Sequence, residues 1–237
     1  MIPKVLYEDK NLLVVDKPAG LLVHLVKGKL PYKNDATLAD WLLENYPQVA
    51  EVGDKPLERP GIVHRLDRET SGVMVVALNQ KTFEYLKDLF KTHQVQKTYI
   101  ALVWGDVKKD AGSITKPIGI VSGTTRRSVI AKNMKMLREA VTDYKVLKRF
   151  KLGEREATLL EVSPKTGRTH QIRVHLASIN HPIVGDAIYG SGRKQENEKI
   201  GITRQFLHAD AIEFSLPEGG RLKISSELPD ELKKFIL

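Results

Sequence analysis

Short apolar runs separated by turn residues recur along the chain and predict many β-strands. Two runs flank Glu8–Asn11 and indicate a hairpin, because polar residues between short apolar segments mark a tight connection. The run VMVVAL at 73–78 lacks polar alternation, which is typical of a strand covered on both faces. The stretch QKTYIALVWG at 96–105 predicts another strand, and residues 140–164 predict a long hairpin that turns across Leu152–Glu154.

Fewer segments carry helical periodicity. A helix is predicted over 37–47, where Thr37 and Asp40 have the spacing of a capping box. A second helix is expected after Asn79, which is placed to cap it. A third is predicted from Thr169 to about Ile179, because apolar residues recur there on one face.

The order of these elements predicts the fold class. Two further strands are expected in FLHADAIEFSL and GRLKISS, and a terminal helix near Pro229. Strands outnumber helices and do not alternate with them as βαβ units. The chain therefore favours an α+β fold with a largely antiparallel sheet, formed as one domain over residues 1–237.

Charge and cysteine content narrow the function classes. The 237 residues include 38 Lys+Arg and 29 Asp+Glu, a formal net charge of +9. This excess favours a polyanionic partner, nucleic acid or less often an anionic membrane surface, although it can also serve solubility alone. The absence of cysteine excludes disulfides, thiolate nucleophiles and cysteine zinc sites. No secretory signal is visible and no apolar run approaches the roughly 18 residues that span a bilayer, so we expect a cytoplasmic protein.

One acid with an arginine on either side marks the first candidate site. In GIVHRLDRETSG, Asp67 lies between Arg65 and Arg68, just before the predicted buried strand. Asp67 could fix the loop through ion pairs or cap a turn. Alternatively, a cationic partner keeps the carboxylate ionised for chemistry while arginines bind phosphate.

A second candidate site lies in TGRTHQIRVH. Arg168 stands at the start of the predicted third helix, whose free N–H groups favour anions, and it could pair with Asp67 if that helix end faces it. His170 and His175 do not have the i, i+4 spacing of a zinc-binding HExxH helix, and no acid lies between them. We therefore predict no metal site.

Tyr99 and its neighbour Lys97 are the third candidate. Tyr99 lies in a predicted strand, where a core role is the common one, but its phenol could also stack on a base or move a proton. Lys97 is two residues earlier and thus on the same face.

Residues 111–138, which we call the basic arm, contain no acid and several cations, among them Arg126, Arg127 and Lys132. The arm is either a solvated loop or a phosphate-binding element, and the lack of acids favours the second.

Several stretches together resemble the RluA-type pseudouridine synthases. They are EDKNLLVVDKPAGLLVH, GIVHRLDRETSGVMVVA, KTYIALVWG, TGRTHQIRVHLASINHPIVGDAIYG and FLHADAIEF, in the order found in that family. The resemblance covers most of the chain, and the pair HRLDxxTSG and GRTHQIRVH is highly specific. It implies a long, bent, mainly antiparallel mixed sheet with flanking helices and loops around a central catalytic cleft.

The resemblance also implies an activity and a set of residues. The family detaches uracil from its ribose, turns it and rejoins it through carbon 5, without a cofactor or metal. Asp67 would attack or deprotonate the ribose, Tyr99 would contact the base and remove the carbon 5 proton, and Arg168 would pair with Asp67. The expected RNA contacts are Arg65, which would fill the space of the flipped nucleotide, together with His64, Lys97, Arg126, Arg127 and Lys132.

Departures from the family limit what is carried over. The chain starts at the opening motif without the small RNA-binding domain of many members, so we expect the catalytic domain itself to find structured RNA, ribosomal or transfer. VHLVKG lacks the proline that usually follows the histidine, and EFSLPEG lacks the usual His-Pro. These changes leave the catalytic residues intact. We expect a monomer, and the alternative function is a catalytically silent RNA-binding module on the same scaffold.

Overall fold

The computed structural model describes residues 2–25, 36–124, 126–130 and 134–237. Lys132, expected to contact RNA, lies outside these residues. The strands in chain order are β1 Lys4–Glu8, β2 Leu12–Lys17, β3 Ser71–Ala77, β4 Gln96–Trp104, β5 Ala111–Ile114, β6 Ile118–Val121, β7 Arg127–Ser128, β8 Met134–Arg138, β9 Thr142–Leu152, β10 Arg155–Pro164, β11 Leu207–Ser215 and β12 Arg221–Ser225. The helices are α1 Leu38–Asn45, α2 Gln80–Lys91, α3 Gln171–Ser178, α4 Lys194–Ile200 and α5 Asp230–Lys233.

The chain divides into two compact units. The first contains residues 1–96 and 209–227, and the second contains residues 97–208 and 228–237. Each strand pairing whose register is described is antiparallel. Together with the few short helices, these pairings confirm the predicted α+β class with a mainly antiparallel sheet. The assignment of residues 1–237 to one catalytic domain stays a prediction.

In the first unit, buried apolar strands form the core that supports the Asp67 loop. The strand order is β1-β2-β3-β11, and β12 pairs with β11. Every residue of β3 is buried, as its unbroken apolar pattern predicts. The predicted capping box of α1 is present, with Thr37 accepting from the Asp40 N–H, and Asn79 caps α2 by accepting from the Thr82 N–H. Local sequence signals therefore set this framework.

In the second unit, β4, β10, β9 and β5 are neighbours in that order. The predicted hairpin is confirmed, since β9 and β10 pair from Thr142 opposite Pro164 to Leu152 opposite Arg155. A large apolar cluster that includes Trp104, Leu160 and Phe206 packs beside these strands. Strands β6, β7 and β8 of the basic arm form a separate three-stranded sheet in the order β7-β6-β8, while β5 of the arm pairs with β9. The arm is therefore an ordered element as far as it is described.

Candidate active site

The segment before Asp67 is fixed along one edge of β3. Gly61 donates its N–H to the Val52 carbonyl at 2.8 Å, and its carbonyl accepts the Ala77 N–H at 2.9 Å. A Cβ on Gly61 would lie 2.3 Å from the Ala77 oxygen, so only glycine permits this approach. The path of the chain toward Asp67 is thus determined by backbone contacts with the core.

His64 anchors the same segment through its imidazole. Its Nε2 accepts the Val75 N–H at 3.0 Å, and its ring stacks on Phe90 with centroids 4.6 Å apart and planes 20° apart. An accepting Nε2 places the proton of the neutral ring on Nδ1. This role in positioning the loop was not foreseen, and the expected contact of His64 with RNA stays a prediction.

Asp67 begins a turn that is tied to the first hairpin. The Thr70 N–H donates to the Asp67 carbonyl at 3.1 Å. The next carbonyl, that of Arg68, accepts the Gly20 N–H at 2.8 Å and the Lys17 ammonium at 3.1 Å. Lys17 is fully buried and also donates to the carbonyls of Pro18 and Leu21. The turn that carries the candidate catalytic acid is therefore held by a buried cation.

The two arginines beside Asp67 have different surroundings. Arg68 donates through Nε to the Gly20 carbonyl at 3.0 Å, and its side chain is also 3.7 Å from Glu69. Arg65 is exposed, while Asp67 is partly buried and Leu66 between them is fully buried. Arg68 thus helps to hold the loop, and Arg65 is available to a partner in solution.

In the second unit, Tyr99 and Lys97 lie on β4. Tyr99 is partly buried, pairs with Val162 of β10 and packs against the large apolar cluster. The Lys97 ammonium is 3.4 Å from the Thr166 carbonyl. Burial lowers the pKa of Lys97 to about 8. Lys97 therefore contacts the segment that leads to Arg168.

The turn around Arg168 is organised by a buried glutamine. Arg168 donates through Nε to the Glu139 carbonyl at 3.0 Å and through its amide N–H to Gln171 Oε1 at 3.0 Å. Gln171, which is 5% exposed, also accepts from the Thr166 hydroxyl at 2.7 Å and donates to the Val141 carbonyl at 2.9 Å. Gln171 was not predicted as a functional residue, and its only signal was a polar side chain at a buried helix start.

The structure corrects the start of the third helix. It was predicted from Thr169, but α3 begins at Gln171. His170 has a left-handed backbone with φ 57, and a residue in that conformation cannot continue a right-handed helix. Arg168 thus belongs to a tight turn before α3 instead of the first turn of the helix.

The histidine pair of this motif is used for structure. His175 is fully buried between the Thr142 hydroxyl at 2.9 Å and the Lys116 carbonyl at 2.8 Å. His170 Nδ1 is 2.9 Å from the Tyr189 hydroxyl. Across the part of the chain that the structure describes, no group of three or more His, Asp and Glu side chains could hold a metal ion.

The structure places the predicted site residues in two sets. Asp67, Arg65 and His64 lie on one anchored loop of the first unit. Tyr99, Lys97, Arg168, Arg126 and Arg127 belong to the second unit, where Lys97 contacts the Arg168 segment. The ion pair between Asp67 and Arg168 stays a prediction.

Lys97→Met is expected to remove a pH-dependent part of the stability. Because burial lowers the pKa of Lys97 to about 8 from 10.5, the unfolded chain binds more protons than the folded chain between these values. Stability therefore rises with pH across this window, and the cost of burying the charge is fully present below it. Denaturant unfolding at about pH 7 and about pH 9.5 should show a rise on the order of 1–3 kcal/mol that the variant lacks. Equal pH dependence in both proteins would contradict the expected burial of the charge.

Residues 11–178 match the family model described as RNA pseudouridylate synthase, and the chain belongs to that family. It is 41% identical to ribosomal large subunit pseudouridine synthase D of Nitrosomonas europaea over 98% of this chain and 64% of that protein. It is 46% identical to an uncharacterized RNA pseudouridine synthase of Aquifex aeolicus over 78% of this chain and 55% of that protein. The chain thus spans less than two thirds of the length of these two relatives.

Solved structures show the same fold. Human RNA pseudouridylate synthase domain containing 1 has a TM-score of 0.75 and 27% identity, over 95% of this chain and 83% of that one. Human RNA pseudouridylate synthase domain containing 4 has a TM-score of 0.72 and 28% identity, over 98% and 91%. Among the described residues, no helix is long and apolar enough to cross a membrane.

Proposed function

We propose that this protein is an RNA pseudouridine synthase that isomerises specific uridines in structured RNA. The observation that carries the proposal is the partly buried carboxylate of Asp67, on a turn held by Lys17 and Gly20 in a family member. A rigid scaffold that presents one carboxylate at a loop is suited to chemistry on a bound substrate.

The reaction rearranges bonds within one nucleotide. The bond between ribose carbon 1′ and uracil N1 breaks, a bond from the same carbon to uracil carbon 5 forms, carbon 5 loses its proton and N1 gains one. Detached uracil carries negative charge and the sugar becomes electron-poor. An ionised Asp67 beside carbon 1′ therefore stabilises the positive charge that develops on the sugar. Asp67 acts either as a nucleophile on the ribose or as a base toward it.

Tyr99 and Arg168 have distinct proposed roles. Tyr99 stacks on the loose uracil and removes the carbon 5 proton, while Arg168 pairs with Asp67 and keeps it ionised at neutral pH. The Glu139 carbonyl accepts from Arg168 Nε and thus holds the guanidinium, while Gln171 Oε1 accepts the Arg168 amide N–H and fixes the turn. Arg168 can therefore meet a carboxylate without reorganising its own backbone.

Access to the target nucleotide requires RNA to be held and opened. A uridine within a helix must leave its stack to reach a protein pocket, which makes phosphate contacts necessary. Arg65 is exposed two residues before Asp67 and would fill the vacated space. The basic arm, Lys97 and His64 would bind the surrounding backbone. We further propose that the protein acts in the cytoplasm as a monomer and needs no cofactor or metal.

The name of the Nitrosomonas europaea relative makes large-subunit ribosomal RNA the first substrate to test, with transfer RNA as the second. Unmodified transcripts of both would be incubated with the protein, and pseudouridines mapped by a chemical adduct that stops reverse transcription. New stops at defined uridines would support the proposal. Tight RNA binding without any new pseudouridine in either RNA would instead support the silent RNA-binding module.

Arg126→Glu is expected to weaken RNA binding and to flatten its dependence on salt. Arg126 is exposed on the basic arm, so reversing its charge removes a phosphate contact and adds a repulsion. The slope of log affinity against log salt should fall by about one to two. Lys81→Glu, an exposed change of equal charge on α2, is the matched control. The same slope in wild type and Arg126→Glu would exclude this position from the RNA contact.

A further inference from the structure

Tyr189 lies where the basic arm meets the turn before α3. Its hydroxyl is 2.9 Å from His170 Nδ1 and accepts the Arg127 amide N–H at 3.3 Å. Arg127 opens β7 of the arm, and His170 comes two residues after Arg168. One phenol therefore contacts both a proposed RNA-binding element and the segment that positions a proposed catalytic arginine.

A buried ion pair fixes the position of Tyr189. Asp186 Oδ1 accepts the amide N–H groups of Ile188 and Tyr189, each at 2.9 Å. The same carboxylate binds Arg173 through two hydrogen bonds of 2.7 and 2.9 Å. Asp186 and Arg173 are 1% and 6% exposed, so this support lies inside the protein. The Tyr189 ring consequently has a rigid base and can transmit a displacement of its neighbours.

The arm also contacts the ring of Tyr189 directly. The Arg126 guanidinium carbon is 5.7 Å from the ring centroid, and its Nη2 donates to the Ile188 carbonyl at 3.4 Å. Arg173 lies over the same ring at 5.2 Å. A phosphate that binds Arg126 would therefore act on a side chain already in contact with Tyr189.

The hydroxyl of Tyr189 can donate one hydrogen bond. We assign the proton of the hydrogen bond between the Tyr189 hydroxyl and His170 Nδ1 to the hydroxyl, so that Nδ1 is the acceptor. The imidazole proton then lies on Nε2. His170 has a left-handed backbone with φ 57°, a conformation that is unfavourable for a residue with a side chain. The bond from Tyr189 supplies support at that residue.

We propose that Tyr189 is a positioning residue that joins the basic arm to the Arg168 turn, so that RNA held by the arm stabilises the catalytic placement of Arg168. This inference rests on the proposed function for its catalytic consequence. The physical link itself, from Arg127 through Tyr189 to His170, does not depend on the reaction.

Tyr189→Phe tests the link because it removes only the hydroxyl and keeps the ring under Arg126 and Arg173. Hydrogen exchange should become faster in peptides that cover residues 165–171. In ¹⁵N-histidine spectra, the His170 ring, assigned with His170→Gln, should lose the Nε2–H tautomer signature of the wild type. Tyr85→Phe is the matched control, since it also deletes one tyrosine hydrogen bond, to the Ser215 carbonyl at 2.9 Å. It should change neither signal.

The catalytic consequence is measured in single turnovers on an RNA that the wild-type protein modifies. Tyr189→Phe should slow the reaction at saturating enzyme about three- to tenfold, while RNA affinity changes less than about twofold. Unchanged exchange and an unchanged His170 signal would overturn the inference even if the protein isomerises uridine. Equal losses of rate and affinity without a change in exchange would also overturn it, because Tyr189 would then be an RNA contact. A wild type without synthase activity would refute the proposed function, and the exchange and NMR results would still decide the link.

Discussion

Asp67→Asn is expected to lower pseudouridine formation by about 10⁴-fold or more, the loss typical when an essential catalytic group is removed. The amide occupies nearly the same volume but carries no charge, so it can neither attack the ribose nor take its proton. Release of tritium from carbon 5 of labelled uridine, measured in single turnovers, would give the rate. RNA affinity should be retained, because the carboxylate would not contribute to phosphate binding.

Asp54→Asn is the matched control for this change. Asp54 is an exposed acid of the same unit, 2.6 Å from Lys87, and the substitution removes the same charge outside the proposed site. Its rate should equal that of wild type. A tritium-release rate for Asp67→Asn within about tenfold of wild type would rule out Asp67 as the catalytic nucleophile or base.

Asp186→Asn is expected to destabilise the second unit by about 3–5 kcal/mol, because it leaves Arg173 charged and buried without its carboxylate. Asp186 and Arg173 are 1% and 6% exposed, so water cannot replace the lost partner. Denaturant unfolding followed by circular dichroism would measure the change in free energy. Asp143→Asn is the matched control. It breaks an exposed ion pair in which the Asp143 carboxylate is 3.4 Å from the Lys165 ammonium, and it should lower the free energy of unfolding by less than about 1 kcal/mol.

The Asp186 carboxylate also makes the free energy of unfolding depend on pH in the acid range. Burial alone would raise the pKa of Asp186, but the hydrogen bonds and charge of Arg173 and the amides of Tyr189 and Ile188 outweigh it and lower the pKa. A lowered folded pKa means that the contribution is complete above the unfolded value of about 3.9 and disappears as pH falls through the folded value. Wild type should therefore lose this contribution in strong acid. The Asp186→Asn protein should lose less stability than wild type as the pH falls. Equal losses in the two proteins would contradict the pairing of Asp186 with Arg173.

Local sequence patterns predicted the elements that depend on short-range chemistry. The first hairpin, buried β3 and the caps at Thr37 and Asn79 follow from residues within a few positions of each other. The start of α3 does not, because Gln171 is held by Thr166 and Val141. The third helix was thus predicted correctly as a helix, but tertiary contacts move its start.

Helix α4 was not anticipated, since its sequence KQENEKI has little apolar periodicity. Its buried residue is Asn197, whose side-chain oxygen accepts from the Trp104 indole and from the Gly185 N–H, each at 3.1 Å. These partners lie 93 and 12 residues away, beyond the reach of a local pattern.

The candidate site shows the same division between near and distant information. Asp67, Tyr99 and Arg168 were identified by their motifs. The supporting roles of Lys17, His64, Gln171 and Tyr189 were not, because each depends on contacts with segments distant in sequence or around a turn. The motifs therefore supplied the candidate catalytic groups, whose roles stay predictions, whereas the contacts that hold them are visible only in the structure.

The anchoring of the Asp67 turn by Lys17 has a consequence for the order of folding. The carbonyl of Arg68 is bound by residues 48 and 51 positions earlier in the chain, at Gly20 and Lys17. The turn can acquire this geometry only after the segments have met, and closing so long a stretch of chain is entropically costly until the core contacts form. Recovery of the proposed synthase activity during refolding should therefore follow, and not precede, burial of the β2–β3 core.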